Sequence, residues 1–372
     1  MTGIGIVGCG YVADRYIYSL RGYPEIEIVG VFDRDQQRLE RFSAFHGIQK
    51  SDSLAALLKN ERVSIILNLT NPRSHFGISE ECLRAGKHVY SEKPLAMELG
   101  QAKQLVALAE SQKLWISSAP CSLLGETAQT IWRALREKRL GNVRVVYAEM
   151  DDGLLHLMPY EKWFNDSGTP WPYKDEFEIG CTLEHAGYYL TWLVAFFGPV
   201  QSMTAWASIQ VPDKTSSVRL DVASPDFSVA CMQFESGVTA RLTCSILAPH
   251  DHQLRIIGDR ALLSTPDSWM FRSPVSIRRL MRFRRRQFYL PWGRRYPLVS
   301  GSGKKTTAKY DWCRGVADLA AAIQEDRKPR LAPDFCLHVN EIALGIHNAN
   351  RSPGVIPITT RFDPVDPMPW AR

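Results

Sequence analysis

Residues 180–190, GCTLEHAGYYL, carry several side chains that can do chemistry within an otherwise apolar stretch. Glu184 offers a carboxylate, His185 an imidazole and Tyr188 a phenol, and such groups exchange protons with bound substrates. Together with the Cys181 thiol, the carboxylate and imidazole are also metal-ligand types. Their spacing is not that of a common metal site, so the stretch indicates proton transfer and we predict no metal.

The element that positions these groups is predicted to be one helix over residues 180–197, ended by the Gly-Pro pair that follows. Glu184 and Tyr188 are four residues apart and therefore share a helical face. His185 points about 100° away from that face. We expect Glu184 and Tyr188 to meet the substrate, and His185 is a candidate that packs behind them or reaches inward from an irregular helix start.

A second chemical signal lies at the start of the chain, where a short apolar strand runs into a glycine-rich turn. The pattern Gly8-x-Gly10-x-x-Ala13 is the dinucleotide-binding fingerprint, with glycines for the tight turn and for the close approach of a pyrophosphate. The phosphates then meet a helix N-terminus, where free N–H groups and the helix dipole favour anions. The predicted residues of this turn are Gly8, Gly10, Tyr11, Val12 and Ala13.

The choice between nicotinamide cofactors depends on the end of the second strand. Asp33 ends that strand about twenty residues after the fingerprint, where an acidic side chain bonds the hydroxyls of the adenine ribose. Its charge repels a 2′-phosphate, so NAD is predicted. Arg34 and Arg38 leave NADP open, because a nearby guanidinium can hold that phosphate.

Strands and helices alternate up to about residue 119, which predicts a doubly wound parallel sheet of the Rossmann type. Ligands on such sheets lie beyond the carboxyl ends of the strands. The loops NLTNPRSH and YSEKPLA follow predicted strands and add candidates for the cofactor site: Asn68, Thr70, Pro72, His75, Glu92, Lys93 and Pro94. Lys93 is also a candidate catalytic residue, because an ammonium at a strand end stabilises a developing alkoxide.

The second half of the chain contains successive strand-like runs without intervening helices, which predicts an antiparallel meander. One of these runs is TSSVRLDVA, residues 215–223. The change from alternating elements to successive strands predicts two domains, residues 1–119 and residues 120–372, with the cofactor in the first and the substrate in the second.

Three segments together resemble one known family: GIVGCGYVADRY, NPRSHFGISEECLRAGKHVYSEKPLA and the helix that begins GCTLEHAGYYL. They are similar to the GFO/IDH/MocA oxidoreductases over nearly the whole chain, and HVYSEKPLA is the most specific match. The resemblance implies an α/β fold: a Rossmann domain with a doubly wound parallel sheet, then an α+β domain with a large open, mostly antiparallel sheet. It also implies a cis Lys93–Pro94 bond and a homo-oligomer, a dimer or tetramer, formed through that sheet.

The resemblance further implies roles for site residues. Lys93 stands at the family's EKP lysine, and Tyr188 stands where many members have a histidine, which is typical of a tyrosine-containing branch. Glu184 takes an aspartate position, Thr191 replaces a second aspartate, and only Gly180 remains of a glycine run. The implied function is NAD(P)-dependent hydride transfer between nicotinamide and a secondary alcohol or ketone of a sugar-like or nucleotide-linked substrate. Lys93 and Tyr188 would handle the proton, and Glu184 would orient Lys93 or a substrate hydroxyl.

Two other functions stay open on the sequence. One is an NAD-using glycoside hydrolase of the same fold, which oxidises its substrate, eliminates and then re-reduces with bound cofactor. The other is a dinucleotide-binding regulator without turnover, which the EKP lysine disfavours. Aromatic residues ahead of the polar helix are candidates either for stacking on a sugar ring or for ordinary packing: Tyr160, Trp163 and Trp171.

Composition and charge limit the remaining choices. The 372 residues carry a net charge of +6, and nine arginines fall between Arg272 and Arg295. This basic segment is interpreted as a solvated excursion of the sheet domain, as a holder of a nucleotide diphosphate, or as a contact with an anionic membrane through residues 278–295. No nucleic-acid-binding module accompanies it, so no nucleic acid is predicted.

The eight cysteines form no C-x-x-C pair and no apolar run spans a membrane, which favours a cytoplasmic protein with reduced thiols.

Overall fold

The computed structural model describes residues 1–215, 218–301, 309–351 and 354–372. The chain forms two compact units. The first consists of Met1–Cys121, Met158–Ile179 and Trp312–Asn340, and the second of Ser122–Leu157, Gly180–Asp311 and Glu341–Arg372. The predicted division after residue 119 lies near the first passage between the units, and the chain later returns twice to the first unit.

The elements are numbered here in chain order. The α-helices are α1 (Ala13–Leu20), α2 (Gln36–His46), α3 (Leu54–Lys59), α4 (His75–Arg84), α5 (Leu99–Ser111), α6 (Glu126–Arg136), α7 (Tyr173–Ile179), α8 (Cys181–His185), α9 (Gly187–Phe197), α10 (Arg314–Gln324) and α11 (Pro333–His347). The β-strands are β1 (Thr2–Val7), β2 (Ile26–Phe32), β3 (Ile65–Asn68), β4 (His88–Ser91), β5 (Ile116–Ser118), β6 (Val143–Asp151), β7 (Val200–Ser208), β8 (Phe227–Phe234), β9 (Thr239–Ser245), β10 (Leu254–Gly258), β11 (Ala261–Thr265), β12 (Val275–Phe283), β13 (Arg286–Tyr289), β14 (Arg294–Tyr296) and β15 (Val355–Pro357).

The first unit is built on a five-stranded sheet in the order β2-β1-β3-β4-β5. All four pairings are parallel. β1 is buried along its whole length, and its sequence TGIGIV suits a central strand of a sheet covered on both faces. The predicted Rossmann arrangement is confirmed, and it places the loops after β1, β2, β3 and β4 at one edge of the sheet.

The second unit is built on a ten-stranded sheet in the order β13-β12-β11-β10-β6-β9-β8-β7-β15, with β14 paired to β12. Its pairings are antiparallel except that of β6 with β9, which is parallel. The large, mostly antiparallel sheet implied by the resemblance is therefore confirmed. β6, the first strand of the unit in the chain, lies in the middle of this sheet between β10 and β9.

The strand predicted in TSSVRLDVA is wrong: its described residues, 215 and 218–223, form no strand. The backbone after β7 bonds to a side chain instead of to a neighbouring strand. The Asp226 carboxylate accepts from the N–H groups of Gln210 and Val211 at 2.8 and 3.0 Å, and it also pairs with Lys214 at 2.9 Å. This buried ion pair organises a loop between β7 and β8, which the alternating pattern of the run does not reveal.

The basic segment forms an edge of the ten-stranded sheet. β12 pairs with β11 through residues 276–279 and then continues as a two-stranded hairpin with β13. Large apolar side chains there are exposed beside the arginines, with Phe283 at 65% and Trp292 at 73% exposure. Charged residues on an edge strand discourage pairing with another chain. This placement is compatible with a solvated excursion and leaves most of the arginines exposed to an anionic ligand.

All eight cysteines are free thiols, and seven of them are buried. Burial raises the pKa of Cys82 and of Cys336 to about 12, so these thiols stay protonated and unreactive. Across the described residues, no helix combines the length and hydropathy needed to cross a bilayer.

His347, the last residue of α11, makes the free energy of unfolding depend on pH. Burial lowers its pKa to about 4, with a smaller contribution from Arg351, whereas an unfolded histidine titrates near ~6.5. The neutral form is favoured on folding, so its stabilisation is intact above about pH 6.5 and is lost as the pH falls toward 4. We expect the wild type to lose on the order of 3 kcal/mol more between these values than His347→Gln. Urea unfolding at both pH values measures this difference.

His156→Gln is the matched control for that comparison, because it removes another histidine of the same unit. The control should lose stability on acidification in parallel with the wild type. Equal acid sensitivity of His347→Gln and the wild type would contradict the assignment.

Candidate active site

The glycine-rich turn after β1 has the geometry that a dinucleotide requires. Gly8 has φ +99°, and a Cβ there would lie 2.6 Å from the carbonyl oxygen of Leu69, so glycine is required by the fold. At Gly10 the nearest atom to such a Cβ is the same oxygen, at 3.9 Å. Packing within the protein therefore does not require Gly10. Its small size instead leaves room for a phosphate to approach the backbone.

The same turn is supported by a residue far along the chain. α1 begins at Ala13, and Val12 before it makes no side-chain bond to the first turn. The Asn165 carboxamide donates to the carbonyl oxygens of Gly10 and Tyr11 at 3.4 and 3.2 Å. Asn165 belongs to the segment that returns to the first unit. The sequence carries no signal for this contact, because nothing local links residues so far apart in the chain.

Asp33 lies just beyond β2 with its carboxylate buried and held in place. Its Oδ2 accepts from the N–H of Cys9 at 2.8 Å, and its Oδ1 accepts from the N–H of Asp35 at 2.8 Å. Arg38 lies 3.5 Å from Oδ2 and 3.4 Å from the Asp35 carboxylate, while Arg34 is exposed. The two N–H bonds fix the carboxylate next to the glycine turn, which is the placement expected of a ribose-binding acid.

Asp33→Asn is expected to shift the cofactor preference toward NADP. Removal of the carboxylate charge ends its repulsion of a 2′-phosphate. We expect the ratio of the NADPH to the NADH affinity to rise about tenfold or more, equivalent to about 1.4 kcal/mol. Nicotinamide fluorescence titrations with both cofactors measure the ratio without any need for a substrate.

Asp35→Asn is the matched control, since it makes the same charge change two residues away on an exposed carboxylate. It should leave the affinity ratio nearly unchanged. An unaltered ratio in Asp33→Asn, in a variant that still folds, would show that Asp33 does not face the ribose.

Two predicted cofactor residues, Asn68 and His75, are fully buried. The Asn68 side-chain oxygen accepts from the Thr70 hydroxyl at 2.7 Å. One ring nitrogen of His75 lies 2.7 Å from the Pro94 carbonyl oxygen and the other lies 3.0 Å from the Thr70 carbonyl oxygen. Burial lowers the pKa of His75 by more than these carbonyls raise it. We infer that both residues hold the loops after β3 and β4 in place, which leaves half-buried Thr70 and Pro72 to meet a cofactor.

The loop after β4 is held from inside by the buried Glu92 carboxylate. One oxygen accepts from the Tyr16 hydroxyl of α1 at 2.8 Å, and the other accepts from the N–H of Lys93 at 3.1 Å. The Lys93–Pro94 bond is cis, as the resemblance implies. Glu92 is thus committed to positioning the loop, and the Lys93 side chain is half-buried at the carboxyl end of β4.

The helix predicted over residues 180–197 is in fact two helices, α8 and α9, joined at Ala186. All five residues of α8 are buried, so the orientation of His185 away from Tyr188 does not place it at the surface. Glu184 and Tyr188 are buried as well, at 8% and 6% exposure. The burial of His185 is compatible with both expectations for it, packing behind Glu184 and Tyr188 or reaching inward.

Cys181 belongs to the packing of α8 on the sheet. Its thiol donates to the carbonyl of Cys244 on β9 at 3.4 Å. The neighbouring Thr182 hydroxyl bonds the Ser228 hydroxyl of β8 at 2.7 Å. These contacts fix α8 on β8 and β9, and the thiol is a structural group.

Tyr188 lies among aromatic rings of its own unit. Its ring centroid is 5.1 Å from that of Trp269 and 6.1 Å from that of Tyr310. His185 stacks on the same indole, with 6.2 Å between centroids and 20° between planes. Neither Trp269 nor Tyr310 stands out in the sequence, because both are distant in the chain and belong to no motif. The rings of Tyr188, Trp269 and Tyr310, called the aromatic wall below, thus lie beside the predicted polar residues.

Asp152 is surrounded by three imidazoles. Its carboxylate oxygens lie 3.6 Å from His185, 3.4 Å from His252 and 3.8 Å from His250. Burial raises the pKa of Asp152, but the imidazoles outweigh it and the pKa is lowered. Burial lowers the pKa of His252, but Asp152 and Asp267 outweigh it and the pKa is raised. The motif PHDH contributes two of these imidazoles and is the sequence signal that points to this cluster.

The aromatic residues predicted to contact substrate pack largely on one another. The Tyr160 ring lies 5.0 Å from Tyr173 and 5.2 Å from Phe177, and Trp163 lies 5.1 Å from Trp171. Tyr160 is buried, whereas both tryptophans are half-buried. This arrangement supports the packing interpretation for Tyr160. A contact of Trp163 or Trp171 with substrate stays a prediction.

Comparison with protein families identifies the chain. Residues 2–119 match the model of an oxidoreductase family with an NAD-binding Rossmann fold. Residues 128–264 match the GFO/IDH/MocA C-terminal domain. The chain belongs to the GFO/IDH/MocA family. The GFO/IDH/MocA assignment confirms the predicted family, the NAD(P) cofactor and the class of enzyme, an oxidoreductase.

Individual relatives are similar along most of the chain. A trans-1,2-dihydrobenzene-1,2-diol dehydrogenase from Bos taurus is 26% identical over 314 residues, covering 82% of this chain and 86% of its own. The WlbA dehydrogenase from Bordetella pertussis, solved with NADH and UDP-GlcNAcA, has a TM-score of 0.72 at 17% identity and covers 97% of this chain and 98% of its own. A 3-ketoreductase from Actinomadura kijaniata, solved with NADP and TDP-benzene, has a TM-score of 0.71 at 20% identity and covers 93% and 97%. The two structural matches show a shared fold.

Proposed function

We propose that this GFO/IDH/MocA oxidoreductase transfers a hydride between nicotinamide and a secondary alcohol or ketone of a sugar-like substrate, with nucleotide sugars as the preferred class. The observation that carries the proposal is the position of Lys93. It is half-buried at the carboxyl end of β4, two strands from β1 and its glycine turn. Ligands of parallel sheets bind beyond the carboxyl ends of the strands. The Lys93 ammonium and the proposed dinucleotide therefore lie at the same edge of the first unit's sheet.

The proposed roles divide proton handling from hydride transfer. The bound nicotinamide supplies the position that accepts or releases the hydride. Lys93 stabilises negative charge on the substrate oxygen, and Tyr188 takes the hydroxyl proton in oxidation and returns it in reduction. Glu184 orients a neighbouring substrate hydroxyl. His185 supports Tyr188 through the Trp269 ring that both contact.

Two features favour a nucleotide-linked substrate. Two structural neighbours were solved with nucleotide derivatives, UDP-GlcNAcA and TDP-benzene. The basic segment also supplies guanidinium groups, which bind phosphates with two parallel hydrogen bonds. The curated relatives are dehydrogenases of a ring 1,2-diol, and a sugar ring likewise carries adjacent hydroxyl groups. The ring diol and the sugar ring thus share a ring carbinol carbon next to a second carbon that carries oxygen.

We also propose that the chain forms a dimer or tetramer through one face of the ten-stranded sheet. Trp206 on β7 is 62% exposed, and Cys231 on β8 is exposed. Strand pairing of Thr204 with Cys231 places both residues on the same face as Trp206. An exposed tryptophan on a sheet face is typical of an interface. Light scattering of the purified chain tests this, and a monomeric mass would contradict it.

A deuterium-transfer experiment tests the proposed reaction. The chain is incubated with NADH or NADPH dideuterated at C4 and a panel of keto sugars and keto nucleotide sugars, and the products are examined by mass spectrometry. We expect one deuterium at the new carbinol carbon and one equivalent of oxidised cofactor per product.

The two alternatives give different results in this design. A glycoside hydrolase would release sugar from glycosides without a net change in NADH absorbance. A regulator would bind the dinucleotide and form no product with any compound. Either result across the whole panel would overturn the proposed function.

A further inference from the structure

We propose that Asp152, His250 and His252 bind one divalent transition-metal ion of the zinc class. Each offers one ligand atom, and the three atoms lie within 4.8 Å of one another. Two imidazole nitrogens and a carboxylate oxygen are ligands that zinc prefers. The spacing of residues in the sequence indicated no such site, because Asp152 joins the two histidines only in the folded second unit.

Two of the three separations between the proposed ligand atoms are close to those around a tetrahedral ion, and the third is at most 4.8 Å. Ligand bonds of about 2.0–2.1 Å around a tetrahedral ion separate the ligand atoms by about 3.3 Å. The separation from the Asp152 carboxylate oxygen is 3.4 Å to Nε2 of His252 and 3.8 Å to Nδ1 of His250. His250 is the exposed member, at 57% side-chain exposure, so it can move the remaining few tenths of an ångström freely.

The backbone holds the ligands in this arrangement without a metal. Asp151 and Asp251 form an antiparallel pair, with N–H to carbonyl bonds of 3.0 and 2.9 Å in the two directions. This pair brings Asp152 beside His250 and His252. The Tyr189 hydroxyl of α9 then donates to the carbonyl of His252. A site preformed in this way loses little conformational freedom when an ion binds.

His252 supplies the second, independent observation. It is 1% exposed, yet within the described part of the chain neither of its ring nitrogens makes a hydrogen bond of normal geometry. A buried polar group without such a bond is costly, and an ion on Nε2 removes that cost. Its Nδ1 lies 3.7 Å from an oxygen of Asp267. That pairing is the carboxylate–histidine–metal arrangement that orients metal-ligating imidazoles.

The proposed site has three protein ligands and an open side. Three ligands with a free position are typical of zinc ions that act on a bound oxygen, whereas structural ions have four protein ligands. The indole of Trp269 connects the site to Tyr188, with ring centroids 4.9 Å from His252 and 5.1 Å from Tyr188. His185 approaches the second oxygen of Asp152 at 3.6 Å. The proposal concerns binding only, and it stands whether or not the proposed hydride transfer is correct.

The competing interpretation is a cluster of imidazolium and carboxylate groups without an ion. It would explain the distances through charge pairing alone. Metal binding measurements separate the two, because only a metal site has a stoichiometry that depends on all three ligands.

The test measures metal binding by the untagged full chain and its variants. Chelator-treated protein is titrated with ZnCl₂ by calorimetry and, separately, with CoCl₂ while the visible absorption of cobalt is recorded. We expect one equivalent to bind with a tetrahedral cobalt spectrum. Asp152→Asn and His250→Ala should each weaken metal binding by more than tenfold. Asp267→Asn should weaken it by about 10- to 100-fold, because Asp267 faces Nδ1 of His252 and orients that ring.

The controls separate binding from misfolding. His250→Ala changes an exposed side chain and should keep the circular dichroism of the wild type, so its result is decisive even if Asp152→Asn unfolds. His156→Ala removes another histidine of the same unit and should bind zinc as the wild type does. Absence of stoichiometric binding in the wild type, or equal affinity of wild type and folded His250→Ala, would overturn the proposal.

Discussion

Lys93→Met is expected to reduce kcat by about 10²- to 10⁴-fold, the range of a lost acid–base or oxyanion-stabilising group. The methionine side chain keeps the length and apolar stem of lysine but cannot donate to an alkoxide or carry its proton. Glu92 holds the loop by accepting from the backbone N–H of Lys93, a contact that does not need the ammonium. Cofactor affinity should therefore stay within a few-fold of the wild type. Steady-state kinetics with the substrate found in the deuterium experiment, together with NADH fluorescence titration, measures both quantities.

Two further variants sharpen this result. Lys103→Met makes the same replacement on an exposed face of α5 and should leave kcat unchanged. Tyr188→Phe removes one hydroxyl from the aromatic wall and should reduce kcat while its ring still packs on Trp269. If Lys93→Met turned over as fast as Lys103→Met, Lys93 would have no part in the chemistry, and the proposed roles would need another proton donor.

Gly180→Ala is expected to lower the free energy of unfolding by at least about 2 kcal/mol. Gly180 has φ +87° and ψ 154°, a conformation essentially restricted to glycine. A Cβ there would lie 2.8 Å from the carbonyl oxygen of Pro225 and 2.9 Å from the Cβ of Ser224. That carbonyl also accepts from the N–H of Cys181 at 3.0 Å, so it cannot move away without breaking the start of α8. Urea unfolding of the variant measures the loss.

Gly77→Ala is the control for the glycine prediction. Gly77 is exposed within α4, and a Cβ there would meet nothing within 4 Å. Alanine is the better helix former, so this variant should gain about 0.5–1 kcal/mol. Gly180→Ala should also impair turnover, because α8 carries Glu184 and leads into Tyr188. A Gly180→Ala protein as stable as the wild type would show that the residue before α8 tolerates a side chain.

The local signals in the sequence were reliable because neighbouring residues produce them. The turn Gly8-x-Gly10-x-x-Ala13 follows a strand and opens a helix, and all three parts lie between Thr2 and Leu20. The parallel sheet likewise follows from the alternation of short apolar runs with amphipathic ones. The strand predicted in TSSVRLDVA failed for the opposite reason. The backbone just before the run bonds to Asp226, a buried carboxylate that lies outside it.

Several site residues could not be assigned from the sequence. Asn68 and His75 follow a strand, as cofactor residues do, but whether such a side chain faces a ligand or the interior depends on the loops packed around it. The sequence left two positions open for His185, packed behind Glu184 and Tyr188 or reaching inward, and the burial of every residue of α8 is compatible with both. PHDH supplies two of the three proposed metal ligands, but the third, Asp152, is about a hundred residues away in the chain, so no local spacing pattern reveals the set.

The Rossmann half, the family, the nicotinamide cofactor and the candidates Lys93 and Tyr188 could all be predicted from the sequence. These predictions rest on short patterns in which adjacent residues set the backbone conformation. The surroundings of these residues are known only from the folded chain. The order of ten strands brings Asp152, His250 and Trp269 together around the helices that carry His185 and Tyr188. Such contacts form between residues far apart in the chain, and no local preference records them.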